Sequence, residues 1–409
     1  MKKSSLALLV CIVIITSLLP GCDDLVQGTR QNTYPIILVP GFGGNDKIMG
    51  SPYYGGSHSI EEDLNNNGYE TYTANIGPFS SNWDRACELY AQIKGGTVDY
   101  GKDHSDNAGH ARYGKTYPGF FPHWGDVDPA TGNVKKIHLI GHSMGGQTVR
   151  LLAQLMEAGS AEELAATGSD TNAFFSGGKS WISGVVTISA SHNGTSLMYM
   201  IPTEFVSQMV GVMASIVGAG QFESLYDFGF DQWGLQRNKG ESFRSYLSRV
   251  NNSGIWTETH DIGTWDLNPL GAQEFNSWVN TQPDIYYFSQ ATSDTSRKPG
   301  IGYYQPNSTM NFLLKPFATM IGKYTQNELI MIDKTYWEND GMGSTITHKG
   351  PFLGSTDQIV EYNGIPEIGK WNYLGVLTHT DHFAAVGLTG NDQRPLYFDY
   401  AELLGSLDK

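Results

Sequence analysis

The stretch IHLIGHSMGGQTVR, residues 137–150, sets Ser143 between Gly141 and Gly145 directly after a short apolar run. Ile137, His138, Leu139 and Ile140 read as a buried strand, and the following MGGQTVRLLAQLME reads as a helix that turns Leu151, Leu152 and Leu155 inward. Ser143 therefore falls on the turn between them. Such a turn is tight and strained, so the residues flanking the serine must be almost free of side chain. It lifts the hydroxyl to the N-terminus of a helix, where unpaired N–H groups and the helix dipole favour a developing oxyanion. That is where a fold places a nucleophile. The five-residue pattern alone also fits an ordinary strand-to-helix turn; the strand before it and the helix after it favour the nucleophile.

Outward from this point, YPIILVPG, YETYTANIG, KKIHLIGHS, SGVVTISAS and DIYYFSQATS are short apolar or β-branched runs, several separated by helical patterns. The alternation predicts an α/β fold, a mostly parallel sheet flanked by helices. Two regions interrupt it: about 80–125, rich in Gly, His, Asp and Tyr, and about 196–280. In the second, Val206, Met209, Val210, Met213, Ile216 and Val217 recur at helical spacing with Ser207, Gln208, Gly211 and Ser215 opposite. We read this helix as a lid over the serine; an ordinary core helix is the alternative.

With 409 residues, 40 % hydrophobic and 16 % charged, the chain can bury a large core. A formal charge of −15 argues against a nucleic-acid partner. Residues 1–21 read as an export signal, with Lys2 and Lys3 ahead of the apolar run LALLVCIVIITSLL and then LPGC. LPGC resembles the bacterial lipoprotein box, which would make Cys22 a lipid-carrying N-terminus, residues 22–33 a tether and the protein a cell-surface lipoprotein. Plain secretion is the alternative. Of the three cysteines Cys87 is then left alone, so no internal disulfide is expected.

A serine nucleophile needs a base and an orienting carboxylate, here in the chain order Ser, Asp, His. YWENDGMGS offers Asp340 in a turn whose following glycine permits a projecting loop; Asp333, at the end of ELIMID, is the competing choice or a structural cap. LTHTDHFAAVG offers His379 and His382, which position alone does not separate; we take His382. The expected oxyanion donors are the N–H groups of Met144 and of Phe42 in PGFGG, with the Phe42 ring lining an acyl pocket. His104 and His110 have a spacing compatible with two ligands on one metal ion; a pair of hydrogen-bonded loop histidines is the alternative.

The blocks GHSMGGQTVR, SSNWDRACELYAQIKGGTVDYG, ARYGKTYPGF, FDQWGLQR, ENDG and TDHF together resemble the secreted true lipases of staphylococci and thermophilic bacilli, from about residue 34 to the C-terminus. The resemblance implies an α/β-hydrolase domain over 34–405 with Ser143, Asp340 and His382 as its triad and a lid after SHNGTSL. It also implies a structural zinc on Asp84, His104, His110 and Asp231, stapling the inserted loop to the lid region. The implied activity is hydrolysis of long-chain acylglycerol esters at a lipid–water interface. A phospholipase or short-chain carboxylesterase of the same fold, and a non-catalytic lipid-binding lipoprotein, are the rival readings. The chain has Pro40 where most members carry a histidine ahead of Gly41 and Phe42. It also has Ala384 and Thr389 where the family's calcium carboxylates stand, so calcium is expected to be absent from that site.

Overall fold

The structure, a computed structural model, describes residues 30–48, 50–202, 205–210, 227–390 and 392–408. The expected leader, Cys22, and the Met213, Ile216 and Val217 end of the expected lid lie outside the described residues. Among the described residues, seven strands form the main sheet: β1 Ile36–Val39, β2 Thr71–Thr73, β3 Ile137–His142, β4 Ile182–Ile188, β5 Tyr286–Ser293, β6 Ile359–Glu361 and β7 Trp371–Thr378. Their spatial order is β6-β7-β5-β4-β3-β1-β2, and every neighbouring pair is parallel.

The apolar runs follow from this burial. In a parallel sheet covered on both faces, successive side chains point to opposite layers and each layer must be filled. Ile37, Val39, Leu139 and Val185 enter one core with Ala86, Leu89, Ile93, Val149, Leu152 and Leu155. Their chain neighbours Ile36, Leu38, Ile140 and Val186 enter the other core with Tyr397, Tyr400, Leu403 and Leu404. The first layer is built by helices α1 (Asn82–Lys94) and α2 (Met144–Ala158), and α3 (Arg394–Gly405) closes the second. Cys87 is a free, fully buried thiol in the first layer.

The five strand signals in the sequence coincide with β1 to β5. Strands β6 and β7 gave no such signal. In β6 the pattern is exposed on both ends, and β7 is broken by a register shift between Tyr373 and Val376 beside Gly375, so neither strand shows a clean period of two. The 80–125 region also begins inside the core, because α1 packs against the sheet; its outer part is a two-stranded ribbon, Gly96–Asp99 with Tyr113–Tyr117, bracketing a short helix Lys102–Ala108. The described end of the expected tether is docked: the Asn32 side-chain amide donates to the carbonyls of Leu404 at 2.9 Å and Leu407 at 3.1 Å.

Because all seven strands run the same way, their C-terminal ends share one edge. There the loops after β1, β3, β5 and β7 converge.

Candidate active site

Ser143 has φ 56° and ψ −129°, a left-handed conformation that a side-chain-bearing residue adopts only under constraint. The constraint is packing between β3 and α2. A Cβ on Gly141 would stand 2.6 Å from the Gly145 carbonyl oxygen, and one on Gly145 would run into the carbonyls of Val39 and Pro40. The sequence pays for close backbone approach with glycine on both sides of the serine.

Ser143, Asp340 and His382 come together although they lie far apart in sequence. His382 Nε2 is 2.9 Å from Ser143 Oγ, and His382 Nδ1 is 2.8 Å from Asp340 Oδ2. The loop carrying Asp340 is itself pinned: the N–H groups of Met342 and Gly343 both donate to Oδ1 at 2.9 Å, and the Thr292 hydroxyl donates to Oδ2 at 3.0 Å. The His382 N–H returns to the Asp340 carbonyl at 3.0 Å. Burial alone would raise the Asp340 carboxyl. The charges of His382 and His348, with the hydrogen bonds from His382 and Gly343, outweigh burial and hold it below the usual carboxylate range. Asp340 is therefore an anion at neutral pH.

The competing residues stand elsewhere. His379, also at positive φ, is exposed and points toward Asp294 at 3.9 Å. Asp333 caps a single turn, accepting from the Thr335 N–H at 2.9 Å. His348, which carries no sequence signal of its own, lies 3.8 Å from the same Asp340 Oδ2 that meets His382.

The loop after β1 is fixed by a buried arginine. Arg85 donates to the carbonyls of Gly77 and Pro40 and, through Nε at 3.0 Å, to Thr148 Oγ1, while the Gly43 N–H donates to Pro78 at 2.7 Å. Met144 opens α2, so its N–H has no partner within the helix. Over the serine lies an apolar ceiling. Phe205, Val206, Met209 and Val210, on a helical segment, are buried while Ser207 faces out. Phe205 packs 5.5 Å from the Phe42 ring, and the space left at Ser143 is a cavity of about 20 Å³ whose lining includes Phe42, Tyr53, Phe205, Met209, Leu267, Met342 and Phe383.

A second cluster lies at the edge of the first core. Asp84, His104, His110 and Asp261 hold their ligand atoms within 4.8 Å of one another. His104 Nε2 is 3.3 Å from Asp84 Oδ1 and 3.2 Å from Asp261 Oδ1; His110 Nε2 is 3.1 Å from Asp261 Oδ2. A tetrahedral ion with bonds of ~2.0–2.1 Å sets its ligand atoms ~3.3 Å apart. Asp84 Oδ1, both Nε2 atoms and both Asp261 oxygens are buried without a hydrogen-bond partner, the state expected of atoms whose partner is a metal ion. Their outer atoms are engaged: His110 Nδ1 with the Ala111 carbonyl at 2.9 Å, and Asp84 Oδ2 with the Gln232 amide at 2.7 Å. The Glu163 carboxylate, accepting from the N–H groups of Lys102, Asp103 and His104, secures the helix that carries His104.

The fourth member of the cluster corrects the expected ligand set. Asp231 is not among these residues: it is paired with Lys115 at 2.8 Å and partly exposed, at the start of the turn Asp231–Trp233. Its neighbours support the cluster from outside, Gln232 through Asp84 and Trp233 with its ring 4.9 Å from His110. Asp261 still comes from beyond the expected lid segment, so an ion here would tie the inserted loop to the region after that segment.

At the expected calcium position Ala384 is buried and offers no side-chain oxygen. The Asp381 carboxylate beside it accepts the N–H groups of Asn311 at 2.7 Å, Phe383 at 3.1 Å and Ala384 at 2.9 Å.

The chain is similar to several known proteins. The structure of EstA from Clostridium botulinum matches with 45 % identity and a TM-score of 0.87, covering 95 % of this chain and 90 % of that one. Lipase 1 from Pelosinus fermentans matches with 48 % identity and a TM-score of 0.85, covering 93 % and 100 %. A protein named Lipase from Staphylococcus epidermidis is 36 % identical over 380 residues, 90 % of this chain; the chain spans 52 % of that relative's length. The family described as "Lipase-like, C-terminal domain" matches residues 32–403. By that match and these identities, the chain belongs to the lipase-like C-terminal domain family of α/β-hydrolase fold.

Proposed function

We propose that the protein is a triacylglycerol lipase: it hydrolyses carboxylic ester bonds of long-chain acylglycerols at a lipid–water interface. One observation carries this reading, the Ser143–His382–Asp340 run of hydrogen bonds lying beneath an apolar ceiling. In the mechanism, His382 takes the Ser143 proton as the oxygen attacks the ester carbonyl, while anionic Asp340 holds the imidazole and stabilises the imidazolium that forms. The N–H groups of Phe42 and Met144 take the charge of the tetrahedral intermediate. His382 then protonates the departing alcohol, and water, deprotonated by the same imidazole, releases the acid from the acyl-enzyme.

Access requires the ceiling to move. Opening in water would expose Phe205, Val206, Met209 and Val210, each worth roughly 1.5–3 kcal/mol when fully buried. At a lipid surface the same side chains pass into an apolar medium and most of that cost disappears. Rates on tributyrin, triolein and phosphatidylcholine, each below and above its aggregation limit, test the proposal. A jump in triolein rate at aggregation is expected. Turnover of tributyrin alone without a jump would make the protein a short-chain esterase, preference for phosphatidylcholine a phospholipase, and no turnover at all a lipid-binding protein.

For the four-residue cluster we propose zinc. Two imidazoles and two carboxylates suit a closed tetrahedral zinc, and an ion so enclosed supplies stability and leaves the ester chemistry to Ser143. We further propose export through the leader at residues 1–21 and anchoring through lipid on Cys22. The native protein should then sediment with membranes and Cys22→Ser should release it; a soluble mature form with an unmodified N-terminus would eliminate the anchor.

A further inference from the structure

Tyr53 and His142 take no part in the proton transfers described above, yet both are buried, at 2 % and 0 % exposure, Tyr53 in the lining of the cavity at Ser143 and His142 next to Ser143 in the chain. The Gly41 N–H donates to Tyr53 Oη at 3.0 Å, Tyr53 Oη is 2.7 Å from His142 Nδ1, and His142 Nε2 is 3.0 Å from the His382 carbonyl oxygen. The polarity of this run is determined. A carbonyl oxygen only accepts, so Nε2 carries the hydrogen. Burial pushes the His142 ring well below the ordinary imidazole range and keeps it neutral, so Nδ1 is bare and accepts the phenol hydrogen. The phenol oxygen is then free to accept from Gly41. Every donor in the run meets one acceptor.

We infer that Tyr53 and His142 are positioning residues that hold the oxyanion loop, the serine turn and the histidine loop in register through one buried run of hydrogen bonds. This rests on the reading of Ser143 as nucleophile and His382 as its base. The connections are short at each end. Gly41 precedes Phe42, whose N–H is the proposed oxyanion donor; His142 precedes Ser143; and the carbonyl that receives the run belongs to His382. The His142 ring also lies 4.6 Å from the His382 ring, so a neutral His142 keeps a second cation away from the imidazolium that forms during the reaction. Displacements of about 1 Å at such contacts cost on the order of 100-fold in rate.

The test uses a water-soluble short-chain p-nitrophenyl ester and a p-nitrophenyl alkylphosphonate that labels the nucleophilic serine. Tyr53→Phe keeps the ring and removes the hydroxyl. It is expected to lower kcat roughly 10- to 100-fold with KM little changed, and to slow Ser143 labelling by a similar factor. His142→Gln keeps an N–H for the His382 carbonyl, drops the Nδ1 acceptor and should lose a comparable amount. If the two act as one unit, the double variant loses no more than the worse single variant. Tyr54→Phe is the control for stability, since it removes a 2.7 Å hydrogen bond to the Val39 carbonyl in the same core; it is expected to lower Tm and leave kcat in place. The positioning role is overturned if Tyr53→Phe is labelled at the unmodified rate, if the losses multiply in the double variant, or if Tyr54→Phe loses kcat equally. Failure of the unmodified protein to be labelled at Ser143 would instead overturn the nucleophile reading, and the positioning role with it.

Discussion

Ser143→Ala is expected to lower kcat on emulsified triolein by about 10⁶, because a nucleophile and its base act as a unit and little remains once either is removed. His382→Ala should lose about as much. Asp340→Asn should lose about 10⁴, for a different reason. The carboxylate accepts from Nδ1–H of His382 at 2.8 Å and so leaves Nε2 bare toward Ser143. An amide can present N–H to Nδ1 instead, which moves the ring hydrogen to Nε2, where it can no longer take the serine's proton. His379→Ala and Asp333→Ala remove groups that are exposed or merely cap a turn, and their rates should stay within about twofold, as for surface changes generally. Circular dichroism on each variant separates loss of chemistry from loss of fold. Activity surviving in Ser143→Ala, or lost in His379→Ala and kept in His382→Ala, would reassign the site.

The second large effect is on stability. Metal analysis of protein never exposed to chelator is expected to find about one zinc per chain, and its removal should lower Tm by on the order of 10 °C. An ion that binds only the folded chain stabilises it by about 4 kcal/mol at a thousandfold excess over its Kd, and ~2 °C or more per kcal/mol follows for a chain of this size class. Asp261→Ala should reproduce the drop, since it removes the carboxylate that faces both histidines. Asp231→Ala should not, because its partner is Lys115 at the surface. Zinc should restore Tm after chelation, and calcium added beyond that should change neither Tm nor activity, the Asp381 carboxylate already being taken by three main-chain N–H groups. A wild-type-like Tm for Asp261→Ala beside a large drop for Asp231→Ala would return the ligand set to the one the family resemblance implied. Stabilisation by sub-millimolar calcium would reveal an additional site.

The strained turn at Ser143 and five of the seven strands described in the main sheet were legible in the sequence because their signals are local. Steric demands at Gly141 and Gly145 and continuous burial on both faces of a parallel strand each leave a mark within a few residues. Where a strand is largely exposed, as Ile359–Glu361, or is broken by a register shift beside a glycine, as Trp371–Thr378, that local mark is missing.

Choices between chemically equal candidates needed the tertiary structure. His379 and His382 stand three residues apart in similar company, and only the path of the chain after β7 turns one toward Asp294 and the other toward Ser143. Asp261 carries no sequence signal that sets it ahead of the expected Asp231. Asp261 meets His104 and His110 because the fold brings the loop beyond the expected lid segment against the helix and turn between the ribbon strands, a contact between residues more than a hundred positions apart that no spacing encodes. The run from Gly41 through Tyr53 and His142 to His382 is of the same kind. By itself the sequence determined which residue types could do the chemistry and where the backbone must bend. Only the tertiary structure decided which of them meet, because hydrogen bonding and metal ligation depend on ångström-scale distances between side chains that the fold alone brings together.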